Sequence, residues 1–270
     1  MSESTEFVPQ DAKAYDEPSV FVVENMLREA RRQRALGARP VPEVCLLDPD
    51  GDVVRHLRAS GQAVRHEDWA CYHTRLWVTT INGRDVGVVA CAVGAPFAVL
   101  VAEELHASGC SLMVSVTSAG VINPLAEPPY FMLIERALRD EGTSVHYVAP
   151  SQWSHLARHL SEALDGTFSE LDEPLHRGSS WTTDAPFRET ETAIAHARRA
   201  GAHAVEMEAA ALYAYGHARR RDVVCIAHVT NTMATLGDDF EKGEAEGTYR
   251  ILSVVDAIAR RLRRAPRDPE

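Results

Sequence analysis

The sequence has no uninterrupted apolar run approaching the roughly 20 residues that a bilayer-spanning helix needs. It has no CxxC pair, and its five cysteines, Cys45, Cys71, Cys91, Cys110 and Cys225, are odd in number. That excludes a fully paired disulfide framework and suits reduced thiols better than zinc ligands. The twelve histidines form no HExxH or His/Cys metal spacing. G-x-S-x-G, P-loop and strand-borne G-x-G-x-x-G motifs are missing too, which removes the nucleophile elbow, the nucleotide P-loop and the dinucleotide fold. No metal or organic cofactor is expected. Positive charge is short: 28 Lys and Arg against 39 Asp and Glu leave a formal charge of −11. Such a chain repels phosphate backbones, so nucleic-acid and anionic-membrane partners are not expected. A small anionic substrate stays compatible, because a few local arginines decide that. The opening residues are acidic and lack an apolar core, so a cytoplasmic location without a secretory leader is expected.

What is present is a 270-residue chain with 45% hydrophobic residues, enough for a sizeable core. Residues 1–19 are polar and predict a flexible segment, and 265–270 a loose tail. Residues 20–264 predict one domain. Helical spacing covers 20–38, EVCLL at 43–47 reads as a buried strand, and Asp48-Pro49-Asp50-Gly51 reads as a turn. The runs at 86–93 and 111–118 flank a helical pattern at 97–108, which makes a βαβ unit. Further strands are expected near 143–149, 178–183, 203–207 and 223–230. Helices are expected near 151–165, 208–220 and 248–264. Alternating strands and helices predict a single three-layer α/β/α domain, with polar functional residues at strand ends.

The segment Ala204-Val205-Glu206-Met207-Glu208-Ala209-Ala210 resembles the V-E-M-E-A/S-A signature of the nucleoside phosphorylase family. That family includes uridine phosphorylases, hexameric purine nucleoside phosphorylases and methylthioadenosine nucleosidases. GAPFAVLVAEELHASGC at 94–110, VSVTSAGVI at 114–122, RDEGTSVHY at 139–147 and TTDAPF at 182–187 resemble further family segments, in order, across residues 43–260. The third is similar to uridine-phosphorylase-like members. The resemblance implies a central mixed, partly barrel-like sheet, homodimers or hexamers, and cleavage of an N-glycosidic bond without a cofactor.

Such cleavage builds positive charge on the sugar and negative charge on the leaving base. The resemblance makes Glu208 the acceptor of ribose hydroxyls and Met207 the residue packed on the sugar. Glu206 carries two readings, ribose contact or structural acid. Asn231 ends a buried strand where adenine-acting relatives carry an aspartate. An amide hydrogen-bonds a base but cannot protonate it fully, so Asn231 points to an oxo-base such as uracil or a 6-oxopurine; its other reading is a strand-end amide that caps a turn. The resemblance also places Gly120 among the base-binding residues. Phe187 reads either as a base-stacking ring or as core. Arg139 and His146 read either as site lining or, for Arg139, as a surface ion pair. Gly51, Arg55 and Ser118 match the positions that hold inorganic phosphate, the expected co-substrate. Ser115 and Thr117, however, replace the family's arginine and glycine, and T-S-A-G at 117–120 resembles the hydrolytic nucleosidases. Phosphorolysis is the first expectation. Hydrolysis at the same site and a non-catalytic nucleoside-binding role are the alternatives.

Overall fold

Strand β1 (Val44–Asp48) is buried at every residue, and it pairs in parallel with β4 (Arg84–Ala90) and β5 (Leu112–Val121). A strand between two others sees apolar neighbours on both faces, which is why its sequence does not alternate. The computed structural model describes residues 13–171, 175–231, 242 and 244–264. Helix α3 (Ala95–Ala107) joins β4 to β5 and completes the expected βαβ unit. Gly94 precedes it at φ 87, ψ 148, a region that essentially only glycine occupies.

Beyond β5 the sheet curls. Strand β10 (Asp222–Asn231) runs parallel to β5, and β6 (Tyr130–Asp140) antiparallel to β10. Strand β8 (Leu175–Thr183) runs parallel to β6, and the short β9 (Ala204–Glu206) lies between β8 and β5. Strands β5, β10, β6, β8 and β9 therefore close into a barrel, as the resemblance implied. On the open side β3 (Leu76–Ile81) and β2 (Val64–Arg65) extend from β4, and β7 (Trp153–His155) pairs with β6.

Helix α6 (Ala209–Arg219) packs against α3, while α2 (Asp52–Ala59) packs against α7 (Thr248–Arg264). Helices α1 (Val23–Arg34), α4 (Arg158–Ala163) and α5 (Glu191–Ala200) complete the layers. One continuous core runs through Leu46, Met113, Ile134, Leu212 and Ile226.

Three local expectations are corrected. The strand expected at 143–149 is a 3-10 turn at Ser144–His146, because Glu141 Oε2 accepts the N–H groups of Thr143 and Ser144 at 2.6 and 2.9 Å and bends the chain. The helix expected at 151–165 shrinks to α4, and its first part is β7. Strand β6 was not foreseen, since Glu135-Arg136 interrupts its apolar run where the register with β8 shifts as a bulge. Of the segment expected to be flexible, 1–12 lies outside the described residues, as does the tail 265–270. Tyr15 donates its hydroxyl to the Val145 carbonyl at 3.1 Å, and Lys13 Nζ meets His146 Nδ1 at 3.0 Å.

Candidate active site

Glu206 ends β9, and both of its carboxylate oxygens are already taken. Oε1 accepts the hydroxyls of Ser180 at 2.9 Å and Thr182 at 2.5 Å; Oε2 accepts the N–H groups of Glu208 and Ala209, each at 2.7 Å. Thr182 Oγ1 in turn accepts the Ala210 N–H at 3.0 Å. The opening N–H groups of α6, which lack partners inside the helix, are thus satisfied from β8 and β9. Of its two sequence readings, this geometry fits the structural acid.

Glu208 differs. The Gly94 N–H donates to its Oε1 at 2.7 Å, while the buried Oε2 accepts no hydrogen bond within 3.5 Å among the described residues, with the Thr117 hydroxyl the nearest side-chain donor acting on the carboxyl. Burial first, and then the charge of Glu206, push its pKa up to about 8; the Gly94 N–H and the Thr117 hydroxyl oppose the rise. Met207 sits half-buried in the bend between β9 and α6.

Other buried polar atoms without partners among the described residues lie along the neighbouring strands: Ser115 Oγ on β5, and both ring nitrogens of His228 and Thr230 Oγ1 on β10. His228 stacks on Phe131 with centroids 4.3 Å apart, and it pairs in register with Ser118. Burial first, then the nearby Lys242, push its pKa down to about 4, so the ring is neutral. Buried polar groups normally find partners. His228 and Thr230, two residues apart and so on one face of β10 near its end, mark a place that a polar ligand or water fills.

The turn after β1 supplies the opposite wall. Asp48 accepts the N–H groups of Gly51 and Val54, both at 3.1 Å, and burial holds its pKa at about 7. Asp50 accepts both the N–H and the hydroxyl of Ser118 at 2.9 Å. Lys242 Nζ bridges Asp50 at 2.9 Å and Asp52 at 2.5 Å, and Asp52 also pairs with Arg55 at 2.6 Å. Burial pushes the Asp52 carboxyl up, but Lys242 and Arg55 outweigh it and hold its pKa below the ordinary value. Each residue expected to hold phosphate therefore already meets one of three alternating aspartates: Gly51 with Asp48, Ser118 with Asp50, Arg55 with Asp52. In the sequence Asp48-Pro49-Asp50-Gly51 reads as a turn with Gly51 at a phosphate position, and the alternating acids were a further available signal. Gly94 opens a segment that resembles the family, whereas Lys242 carried no signal.

The base-side candidates are distributed unevenly. Gly120 pairs in register with Val205 on β9 and with Asn231 on β10, so strand pairing brings Gly120 and Asn231 together. The side chain of Asn231 lies outside the described residues. Phe187 is 100% exposed on the turn Pro186–Arg188, so the core reading of this ring is overturned. Arg139 forms no ion pair among the described residues, against the surface-pair reading. It binds Ser144, Ser151 and the carbonyl of Ala149, each at 2.8 Å, and ties down the loop after β6.

A barrel-closing mixed sheet with carboxylates converging on its strand ends defines an α/β protein of the nucleoside phosphorylase type. The chain belongs to the Phosphorylase superfamily, whose family model matches residues 43–260. It is 28% identical over 145 residues to the guanosine phosphorylase of Halorubrum lacusprofundi, a stretch covering 52% of this chain and 57% of that protein's own length. Its fold is similar to uridine phosphorylase from Vibrio fischeri ES114 (TM-score 0.69, 18% identity, 93% of this chain and 99% of that one). It is also similar to the 5′-methylthioadenosine/S-adenosyl homocysteine nucleosidase of Campylobacter jejuni (TM-score 0.65, 15% identity, 81% and 99%). Among the described residues, no helix is long and apolar enough to cross a membrane.

Proposed function

We propose that this chain cleaves the N-glycosidic bond of an oxo-base nucleoside between Glu208 and Asp50, with water as the nucleophile. The observation that carries the reading is the Glu208 carboxyl. One of its oxygens is fixed by Gly94, and the other is buried without a hydrogen bond among the described residues. Sugar hydroxyls are donors of the right kind for it. Their hydrogen bonds favour the ionised carboxylate, which then stands against the positive charge growing on the ribose.

Water is favoured over phosphate by electrostatics. A phosphate dianion would have to displace Asp50 from Ser118 and sit among three aspartates, with Lys242 already shared between two of them. Water meets no such repulsion. Asp50 accepts its proton, the water oxygen bonds to C1′, and the base leaves with the glycosidic electron pair. Gly120 and Asn231 lie at the base end, where an amide suits a leaving group whose charge falls on ring nitrogen and carbonyl oxygen. The products are free base and ribose or deoxyribose. No cofactor takes part.

Phosphorolysis is the second reading, favoured by the name of the halophile relative and by Lys242. With Asp50 turned away, the Ser118 N–H and hydroxyl and the Lys242 ammonium would face an oxyanion, and the sugar 1-phosphate would be the product. The test is base release from uridine, inosine and guanosine, with and without inorganic phosphate. Equal release supports water as nucleophile. Release that requires phosphate overturns it in favour of phosphorolysis. No release from any of them removes the enzymatic reading for these nucleosides.

A further inference from the structure

A second polar cavity of about 460 Å³ lies between β6, β7, β8 and the residues entering β9, lined by Glu135, Arg136, His155, Arg177, Ser179 and His203. None of its lining residues is Glu206, Glu208 or Asp50. Successive residues of a strand face opposite sides: Ser180 bonds Glu206 inside, whereas Ser179 lines this cavity.

Its charges are not balanced among the described residues. Arg177 is committed: Nε meets Glu135 at 2.9 Å, Nη2 donates to Ser161 Oγ at 2.7 Å, and Nη1 lies 3.6 Å from Asp165. That pairing neutralises Glu135. Arg136 has no carboxylate partner among the described residues; its guanidinium lies 4.2 Å over the ring of Trp153. Stacking on an aromatic face fixes the guanidinium plane and leaves its N–H edge free to grip an oxyanion. His155 stands beside it, paired across the β6–β7 ladder.

His203 is oriented as well. The Ser179 N–H donates to its Nδ1 at 3.1 Å, so in the neutral ring Nε2 carries the proton and is a donor. Burial, and after it the charge of Arg136, hold its pKa below the usual imidazole range. Gly178 makes room for the ring: a Cβ there would lie 2.5 Å from Met132 Sδ and 3.1 Å from His203 Nδ1. A fixed guanidinium, a tautomer-fixed imidazole and a cavity of small-molecule size point at one kind of guest.

We propose that this cavity is a second ligand site, which binds a small phosphate-bearing molecule with its oxyanion held by Arg136 and His203. The site is independent of the reaction proposed above. Two probes, inorganic phosphate and ribose 5-phosphate, separate a free phosphate from a phosphorylated sugar. Each is titrated into histidine-labelled protein while the His203 ring resonance is followed, assigned with His203→Gln. The proposal expects a saturable shift of that resonance with at least one probe. It also expects Arg136→Gln, an exposed and foldable substitution checked by melting, to weaken binding about tenfold or more through loss of a charge-assisted contact. A shift with both probes identifies phosphate itself as sufficient; a shift with ribose 5-phosphate alone identifies a phosphorylated sugar. No shift with either probe overturns the site, and so does binding that survives Arg136→Gln but is lost in Ser118→Ala, which would put the anion in the nucleophile pocket.

Discussion

The N–H of Gly94 and the Oε1 of Glu208 meet at 2.7 Å across 114 residues of sequence. This contact fixes one side of a buried carboxyl and leaves the other side for a ligand. Glu208→Gln keeps the acceptor for Gly94 but removes the charge. Base release should fall on the order of 10²-fold or more, with little change in melting temperature. Steady-state kinetics alongside a thermal melt checks this; unchanged turnover would remove Glu208 from the reaction.

Gly94→Ala probes the same contact from the backbone. A Cβ there would meet nothing within 4 Å, so crowding is not the obstacle, but φ 87 is. The strain should cost roughly 1–3 kcal/mol. It should also shift the amide away from Glu208 and lower turnover further than the stability loss explains. Urea denaturation and kcat measured on the same sample separate the two effects.

Asp50→Asn distinguishes the nucleophiles. If Asp50 takes a proton from water, the variant loses base release with or without phosphate. If Asp50 instead blocks a phosphate site, removing its charge lowers the KM for phosphate and raises phosphate-dependent release. The two outcomes have opposite sign in one assay.

Glu206→Ala leaves four buried donors without their acceptor. Unsatisfied buried groups cost about 1–3 kcal/mol each before relaxation, so the variant should lose roughly 3 kcal/mol or more. Ser180→Ala, which removes only one of the donors, should cost about 1 kcal/mol. Chemical denaturation of both variants gives the comparison; a loss in Glu206→Ala no larger than in Ser180→Ala would refute the capping role.

The pKa of Glu208, raised to about 8, couples stability to pH. The folded state holds this proton where an unfolded chain has released it, so the contribution is fully present below the unfolded carboxylate range. It is lost as pH rises towards 8. Melting temperature of the ligand-free protein should therefore fall across that window more in the wild type than in Glu208→Gln. Parallel slopes would contradict the raised pKa.

Much of the fold was legible because burial dictates composition. The runs that became β1, β4, β5 and β10 are buried on both faces and read as unbroken apolar stretches. Strand β6 was not legible, because a bulge and the pair Glu135-Arg136 break its pattern. The turn at 144–146 was not legible either, because a side chain, Glu141, competes for the backbone N–H groups that a strand would have paired. In the site, the Glu206-Met207-Glu208 run was visible as a motif, and Ser118 and Gly120 as a strand end.

By itself the sequence determined the family, the α/β layering and the Glu206-Met207-Glu208 run, since these follow from local pattern and from a motif contiguous in the chain. The tertiary structure decided how those acids divide their work. Glu206 caps a helix because Ser180 and Thr182 arrive from β8, and Glu208 keeps an open oxygen because Gly94 covers only one. Asp50 stands on Ser118 because β1 and β5 are neighbours in the sheet. A carboxylate's role depends on which donors reach it, and the deciding ones here come from residues 24 to 192 positions away, beyond the reach of any local pattern.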